Sequence, residues 1–172
     1  MTVDQLRSLI RDVPDFPKEG ILFRDVTPLL LDPAGLNAAI EAVAAPFGEA
    51  KVDRVLGIEA RGFIFGAPIA QALGAGFGLV RKAGKLPYES HSASYELEYG
   101  IDRVEMHVDT VESGQRVLIV DDLIATGGTA AAAVELVRRA GGEVVGCSFL
   151  IELLALGGRE KIDTHCHAVL TY

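Results

Sequence analysis

The sequence predicts an α/β domain with a central, mainly parallel sheet flanked by helices. Strand-like apolar runs alternate with helical stretches along the chain, as in strand–helix units of one sheet. Two runs, Val55–Leu56–Gly57–Ile58 and Val117–Leu118–Ile119–Val120, carry no polar side chain, which suits strands buried on both faces. Each passes directly into a turn bearing charge and glycine, and then into a stretch of good helix formers.

In chain order, leucine and isoleucine at helical spacing predict a short amphipathic helix over Val3–Ile10. Pro14 to Pro28 holds three prolines and Gly20, predicting an irregular, partly extended segment. A helix starts at Asp32–Pro33, with Leu36, Ile40, Val43 and Phe47 as its apolar stripe and proline at its first turn. Val52–Ile58 reads as a strand, Gly62–Leu73 as a helix and Phe77–Val80 as a short strand. Lys82–Ser92 is polar, with Gly84, Pro87 and two serines, and is the longest stretch suited to a mobile loop. Ser94–Tyr99 and Arg103–Val108 alternate around Gly100 as a β-hairpin. After the second buried strand, Ala130–Arg139 reads as a helix ended by Gly141–Gly142. Glu143–Ile151 is a further strand, Leu156–Lys161 a turn and Cys166–Thr171 a last short strand.

At 172 residues the chain is expected to form one domain, burying roughly 70% of its unfolded surface without metals or disulfides. Two cysteines are too few for a disulfide framework, and Met1–Asp12 lacks a signal peptide's apolar core. No uncharged stretch of about eighteen apolar residues occurs, so no membrane span is expected and the cytoplasm is the default. A net charge of −8 argues against a general nucleic-acid binder. Any polyanionic substrate must then be drawn in by local cations, for which Arg61, Arg81, Lys82 and Lys85 are the candidates.

The chemistry concentrates where Val117–Val120 runs into Asp121–Asp122, then Leu123–Ile124, then Ala125–Thr126–Gly127–Gly128–Thr129. A glycine- and threonine-bearing turn between a strand and a helix presents unpaired N–H groups to an anion, reinforced by the helix dipole. Two carboxylates before a phosphate cradle need a polyhydroxylated or metal-bearing neighbour. Ribose 5-phosphate supplies hydroxyls for the acids and a phosphate for the loop. The stretch is not a Walker loop, since the required lysine is absent, and no GxGxxG occurs in the chain. Glu59–Ala60–Arg61–Gly62 forms a second strand-to-helix turn, and ligands of open α/β sheets gather at strand carboxyl ends. Arg61 there can grip a phosphate bidentately. His165–Cys166–His167 lacks a third ligand at suitable spacing and reads as a polar strand end rather than a metal site.

The acid pair and its TGGT loop resemble the phosphoribosyl pyrophosphate motif of type I phosphoribosyltransferases, and FRDVTP (Phe23–Pro28) with LEYG (Leu97–Gly100) is similar to the adenine-specific branch. The likeness runs from Phe16 to about Lys161 and takes in Gly84–Pro87 and Gly158–Lys161; it departs mainly over Tyr88–Ala93. It implies transfer of a phosphoribosyl group from phosphoribosyl pyrophosphate to adenine, giving AMP and pyrophosphate, with Mg²⁺ bound mainly through the substrate. By position, Asp121 and Asp122 take the ribose hydroxyls and Ala125, Thr126, Gly127, Gly128 and Thr129 the 5-phosphate. Glu59, Ala60, Arg61, Lys82 and Lys85 take pyrophosphate, with the Glu59–Ala60 peptide cis. The Leu22 carbonyl and the Arg24 N–H read adenine under a stacked Phe23, in a hood formed mainly by residues 1–35. Glu98 exchanges a proton or hydrogen bond with purine N7, and Arg61 shares the catalytic work. A mobile loop and hairpin at about 82–108 close over the reactants. A homodimer is implied, with Arg81 or Lys82 near its interface. Two alternatives stand beside this: a hypoxanthine or guanine enzyme, and a non-catalytic regulator that senses phosphoribosyl pyrophosphate while binding RNA or DNA.

Overall fold

The computed structural model describes residues 1–96 and 100–172. Two compact units make up the chain, Met1–Ala42 and Val43–Tyr172.

The first unit opens with helix α1, Val3–Ser8, whose Thr2 and Gln5 exchange side-chain and backbone hydrogen bonds in a capping box. Strands β1 (Arg11–Pro14) and β2 (Leu22–Asp25) pair antiparallel, with Val13 opposite Phe23. The sequence predicted an irregular segment here. Pro14 ends β1 in a two-stranded sheet, where a missing N–H costs little. Helix α2 (Thr27–Leu31) follows, and α3 (Pro33–Ala44) is started by Asp32, whose Oδ2 accepts from the Gly35 N–H at 2.7 Å.

The second unit holds a seven-stranded sheet in the order β5-β6-β4-β3-β7-β8-β9. Its strands are β3 (Arg54–Ile58), β4 (Gly76–Lys82), β5 (Ser90–Glu96), β6 (Ile101–His107), β7 (Arg116–Ile124), β8 (Glu143–Glu152) and β9 (Cys166–Thr171). From β4 across to β9 the strands run parallel. The β5–β6 arm joins β4 antiparallel, through Arg81↔Glu105 and Lys82↔Val104. Helix α4 (Gly62–Leu73) links β3 to β4, and α5 (Gly128–Arg139) links β7 to β8.

Two boundaries differ from expectation for one reason. β4 continues to Lys82, and Ser90–Ser92, read from sequence as loop, belong to β5. Both extensions are fixed by pairing with β6, a tertiary partner that local polarity does not reveal. Helix α5 starts at Gly128, two residues before the alanine run that announced it.

Leu56, Val117, Ile119, Ala133, Leu136, Val137 and Phe149 are among the buried residues of the core that holds β3, β7 and β8 under α5. Each large side chain so buried contributes about 1.5–3 kcal/mol. Leu136→Ala, at a fully buried position of α5, is expected to lower unfolding free energy by about 2–5 kcal/mol in urea denaturation. A loss below about 1 kcal/mol would mean that α5 is not seated as described.

Candidate active site

The carboxyl end of β7 builds the first half of the site. Asp121 and Asp122 occupy successive strand positions, Asp122 only 4% exposed and Asp121 half-buried. Beyond Ile124 the chain turns through Ala125 and Thr126 to Gly127, which takes φ +77° and caps α5. Such left-handed backbone favours glycine. The first turn of α5 carries no acidic side chain, so its N–H groups face no competing carboxylate of their own. Asp121, the Ala125–Thr129 loop and Phe149 help line a cavity of about 100 Å³. Pockets for drug-sized ligands run to roughly 300–1,000 Å³, so this one suits a single phosphate.

Burial pushes the Asp121 carboxyl well above its usual range, and the neighbouring charge of Asp122 pushes the same way. The native state then holds the Asp121 proton more tightly than the unfolded chain does. Stability from this group is full at acid pH and is lost as pH rises through the raised native value. Asp121→Asn removes the penalty. Its melting temperature should exceed that of the unaltered protein at about pH 8, with the gap closing toward about pH 4. Calorimetry showing the reverse trend would contradict this electrostatic account.

The β3–α4 turn supplies the second half. The Glu59–Ala60 peptide is cis, as the family resemblance implied, and so is Phe16–Pro17 in the first unit. Arg61 Nε donates to Asp122 Oδ2, tying this turn to the acid pair. Gly62 makes that approach possible: a Cβ there would lie 2.8 Å from the Val120 carbonyl oxygen and 2.9 Å from Asp121 Oδ1.

Glu59 is a hub rather than a bare acid. Its carboxylate accepts from the Lys82 N–H at 3.0 Å, from Arg81 Nε at 3.2 Å and from Lys85 Nζ. Burial alone would raise this carboxyl, but the bonds from Lys85, the Lys82 amide and Arg81 outweigh it and hold it below its usual range. With its carboxylate so occupied, Glu59 assembles cations, and only its backbone remains for a polyanion. Lys82 Nζ is held by Asp102 and the Tyr95 hydroxyl, and these bonds outweigh its burial and raise its pKa. Tyr95 and Asp102 were missed in the sequence. Nothing local marks Asp102, which stands opposite Tyr95 through the β5–β6 pairing.

In the first unit, Val13, Phe16, Phe23 and Asp25 line an open cavity of about 230 Å³. Phe16 meets Phe23 edge-to-face at 5.1 Å between centroids. The Arg24 guanidinium pairs with Asp12. Asp25 accepts from the Thr27 N–H and from Arg11, which together hold its carboxyl below the usual range. The sequence marked Phe23 as the stacking residue and Asp25 only as part of the FRDVTP stretch, and gave no sign of Val13. Glu98, the expected partner of the purine, lies outside the described residues. His165, dismissed as a ligand, packs beside Phe47.

The phosphoribosyl transferase domain family matches residues 29–171. An adenine phosphoribosyltransferase of Rhodopirellula baltica is 56% identical over 168 residues, covering 97% of this chain and 82% of that protein. The chain belongs to the adenine phosphoribosyltransferases of the type I family. Solved members of the family share its fold closely. The adenine phosphoribosyltransferase from Rhodothermus marinus superposes with a TM-score of 0.95 at 55% identity, over 99% of this chain and 98% of that one. The Saccharomyces cerevisiae enzyme, complexed with an imino-altritol bisphosphate and adenine, gives 0.92 at 43% identity over 97% of each chain.

Proposed function

We propose that the two strand-to-helix turns divide one substrate between them, the β7–α5 turn taking ribose 5-phosphate and the β3–α4 turn taking pyrophosphate. The reaction is transfer of the phosphoribosyl group from phosphoribosyl pyrophosphate to adenine, giving AMP and pyrophosphate. The observation that carries this reading is the contact between the turns: Arg61 on the acid pair, and Gly62 against Asp121. That contact brings the groups for the sugar and those for its leaving group together at one pair of strand ends.

Asp121 and Asp122 hold the ribose hydroxyls so that the anomeric carbon faces the base. Ala125–Thr129 and the amino end of α5 hold the 5-phosphate. As a purine nitrogen bonds to the anomeric carbon, the bond to pyrophosphate breaks and its electron pair leaves on the phosphate oxygen. Arg61 and Lys85, exchanging Asp122 and Glu59 for the substrate, meet that charge, and Lys82 adds to the field. Leu22, Phe23 and Arg24 recognise adenine, and Glu98 receives or shares the purine proton. The loop after Lys82 excludes water that would otherwise trap the ribosyl centre.

Magnesium fits the donor set. Asp121, which lines the phosphate cavity, and the adjacent Asp122 would offer carboxylate oxygens to an ion held mainly by the substrate, and magnesium favours one or two carboxylates plus substrate phosphates. Bound with the substrate, it would neutralise part of the pyrophosphate charge. Among the described residues, no helix is long and apolar enough to cross a membrane. A cytoplasmic homodimer completes the reading.

Calorimetric titration with AMP tests the division of labour. Thr126→Ala with Thr129→Ala should weaken AMP binding by about tenfold or more, since hydrogen bonds to charged groups contribute about 1.5–3 kcal/mol, and leave adenine binding unchanged. Unaltered AMP affinity would count against the loop as the phosphate site.

A further inference from the structure

The phosphate loop has a wall that lies outside its own strand and helix. In the short helical turn Gly158–Lys161, Gly158 is buried against the loop. A Cβ on Gly158 would strike the Ala125 carbonyl oxygen and come within 2.8 Å of the Gly127 nitrogen. A Cβ on Gly127 would strike the Gly158 carbonyl in return. Backbone packed on backbone leaves the loop no room to shift toward that side.

The neighbouring Arg159 fixes this wall. Its Nε donates to Glu152 Oε1 at 3.0 Å, its Nη2 to Glu152 Oε2 and its Nη1 to the Cys166 carbonyl. The planar guanidinium fork is matched bidentately, a geometry that lysine cannot reproduce. Glu152 is 4% exposed and ends β8, where it pairs in register with Ile124, the residue just before the loop. The adjoining Leu153 N–H donates to the Ile124 carbonyl at 3.0 Å. One buried carboxylate thus ties the strand that launches the loop to the turn that backs it. Glu152 is buried but the Arg159 side chain is 46% exposed, and half-exposed ion pairs contribute little net stability, which leaves setting geometry as the use of this one.

We propose that Glu152 and Arg159 are positioning residues for the 5-phosphate: through Gly158 they hold the Ala125–Thr129 backbone in its anion-binding shape. This rests on reading that loop as the phosphate site. Neither side chain touches substrate in this account.

Ribose 5-phosphate and adenine are titrated separately into the intact protein, Arg159→Lys and Gly158→Ala, with KM and kcat measured for each. Arg159→Lys keeps the charge but loses the fork, and Gly158→Ala leaves the pair intact but crowds the loop. Both are expected to weaken ribose 5-phosphate binding and raise KM for phosphoribosyl pyrophosphate by roughly 10- to 100-fold, with adenine affinity unchanged and kcat within about threefold. If one variant fails to fold, the other gives the answer. Intact protein that binds ribose 5-phosphate, beside folded variants that bind it equally well, overturns the proposal. Equal loss of adenine and ribose 5-phosphate binding overturns it too, since the pair would then be merely structural. Failure of the unaltered protein to bind ribose 5-phosphate would instead sink the reading of the loop, and the proposal with it.

Discussion

Asp121→Asn combined with Asp122→Asn should reduce AMP formation by about 10²-fold or more while the protein stays folded. The amide keeps the size of each side chain but withdraws the charge that anchors two ribose hydroxyls. Misplacing the anomeric carbon by about an ångström is enough for a loss of that order. Stability should not follow activity down. The double change removes two adjacent carboxylates, one of which burial already disfavours as an anion. It also weakens the ion pair of Arg61, a side chain that is 47% exposed, and pairs exposed to that degree contribute little to stability. A melting temperature near that of the unaltered protein, with severe loss of turnover, is the expected pair of results. Near-normal turnover at unchanged stability would remove the acids from their assigned role.

Glu98→Gln should lower kcat by about 10²–10⁴-fold, the usual contribution of a positioned acid or base, with little change in affinity for phosphoribosyl pyrophosphate. The amide retains a hydrogen-bonding group but cannot accept the purine proton. Glu96→Gln serves as the control. Glu96 is an exposed residue at the end of β5, so its loss should be mild. A reduction under about threefold for Glu98→Gln would exclude proton exchange from the mechanism.

Much of the site was legible because its chemistry sits on local strand–turn–helix units. Val117–Thr129 declares a buried strand, an acid pair and a helix start within thirteen consecutive positions, and the structure places all three there. Gly62 was legible as the end of a strand-to-helix turn, and the Val120 and Asp121 contacts show why that position is glycine. What sequence withheld were partnerships between distant residues. Glu59 looked like one member of an anion-binding turn until β4 and its following loop brought Arg81, Lys82 and Lys85 onto it. Asp102 and Glu152 look like ordinary strand acids; the sheet order brings Lys82 to Asp102, and the helical turn Gly158–Lys161 folds Arg159 back onto Glu152. The first unit's two-stranded sheet was hidden by prolines that normally oppose strands.

Product formation with competing bases tests the central claim most directly. Purified protein is supplied with Mg²⁺, phosphoribosyl pyrophosphate and adenine, hypoxanthine or guanine in turn, and nucleotide and pyrophosphate are both quantified. The expected result is AMP and pyrophosphate in equal amounts from adenine, with kcat/KM on the order of 10³ or more above either other base, as suits a site that reads base edges by hydrogen bonds. Comparable use of hypoxanthine or guanine, or no nucleotide from any base, would contradict it.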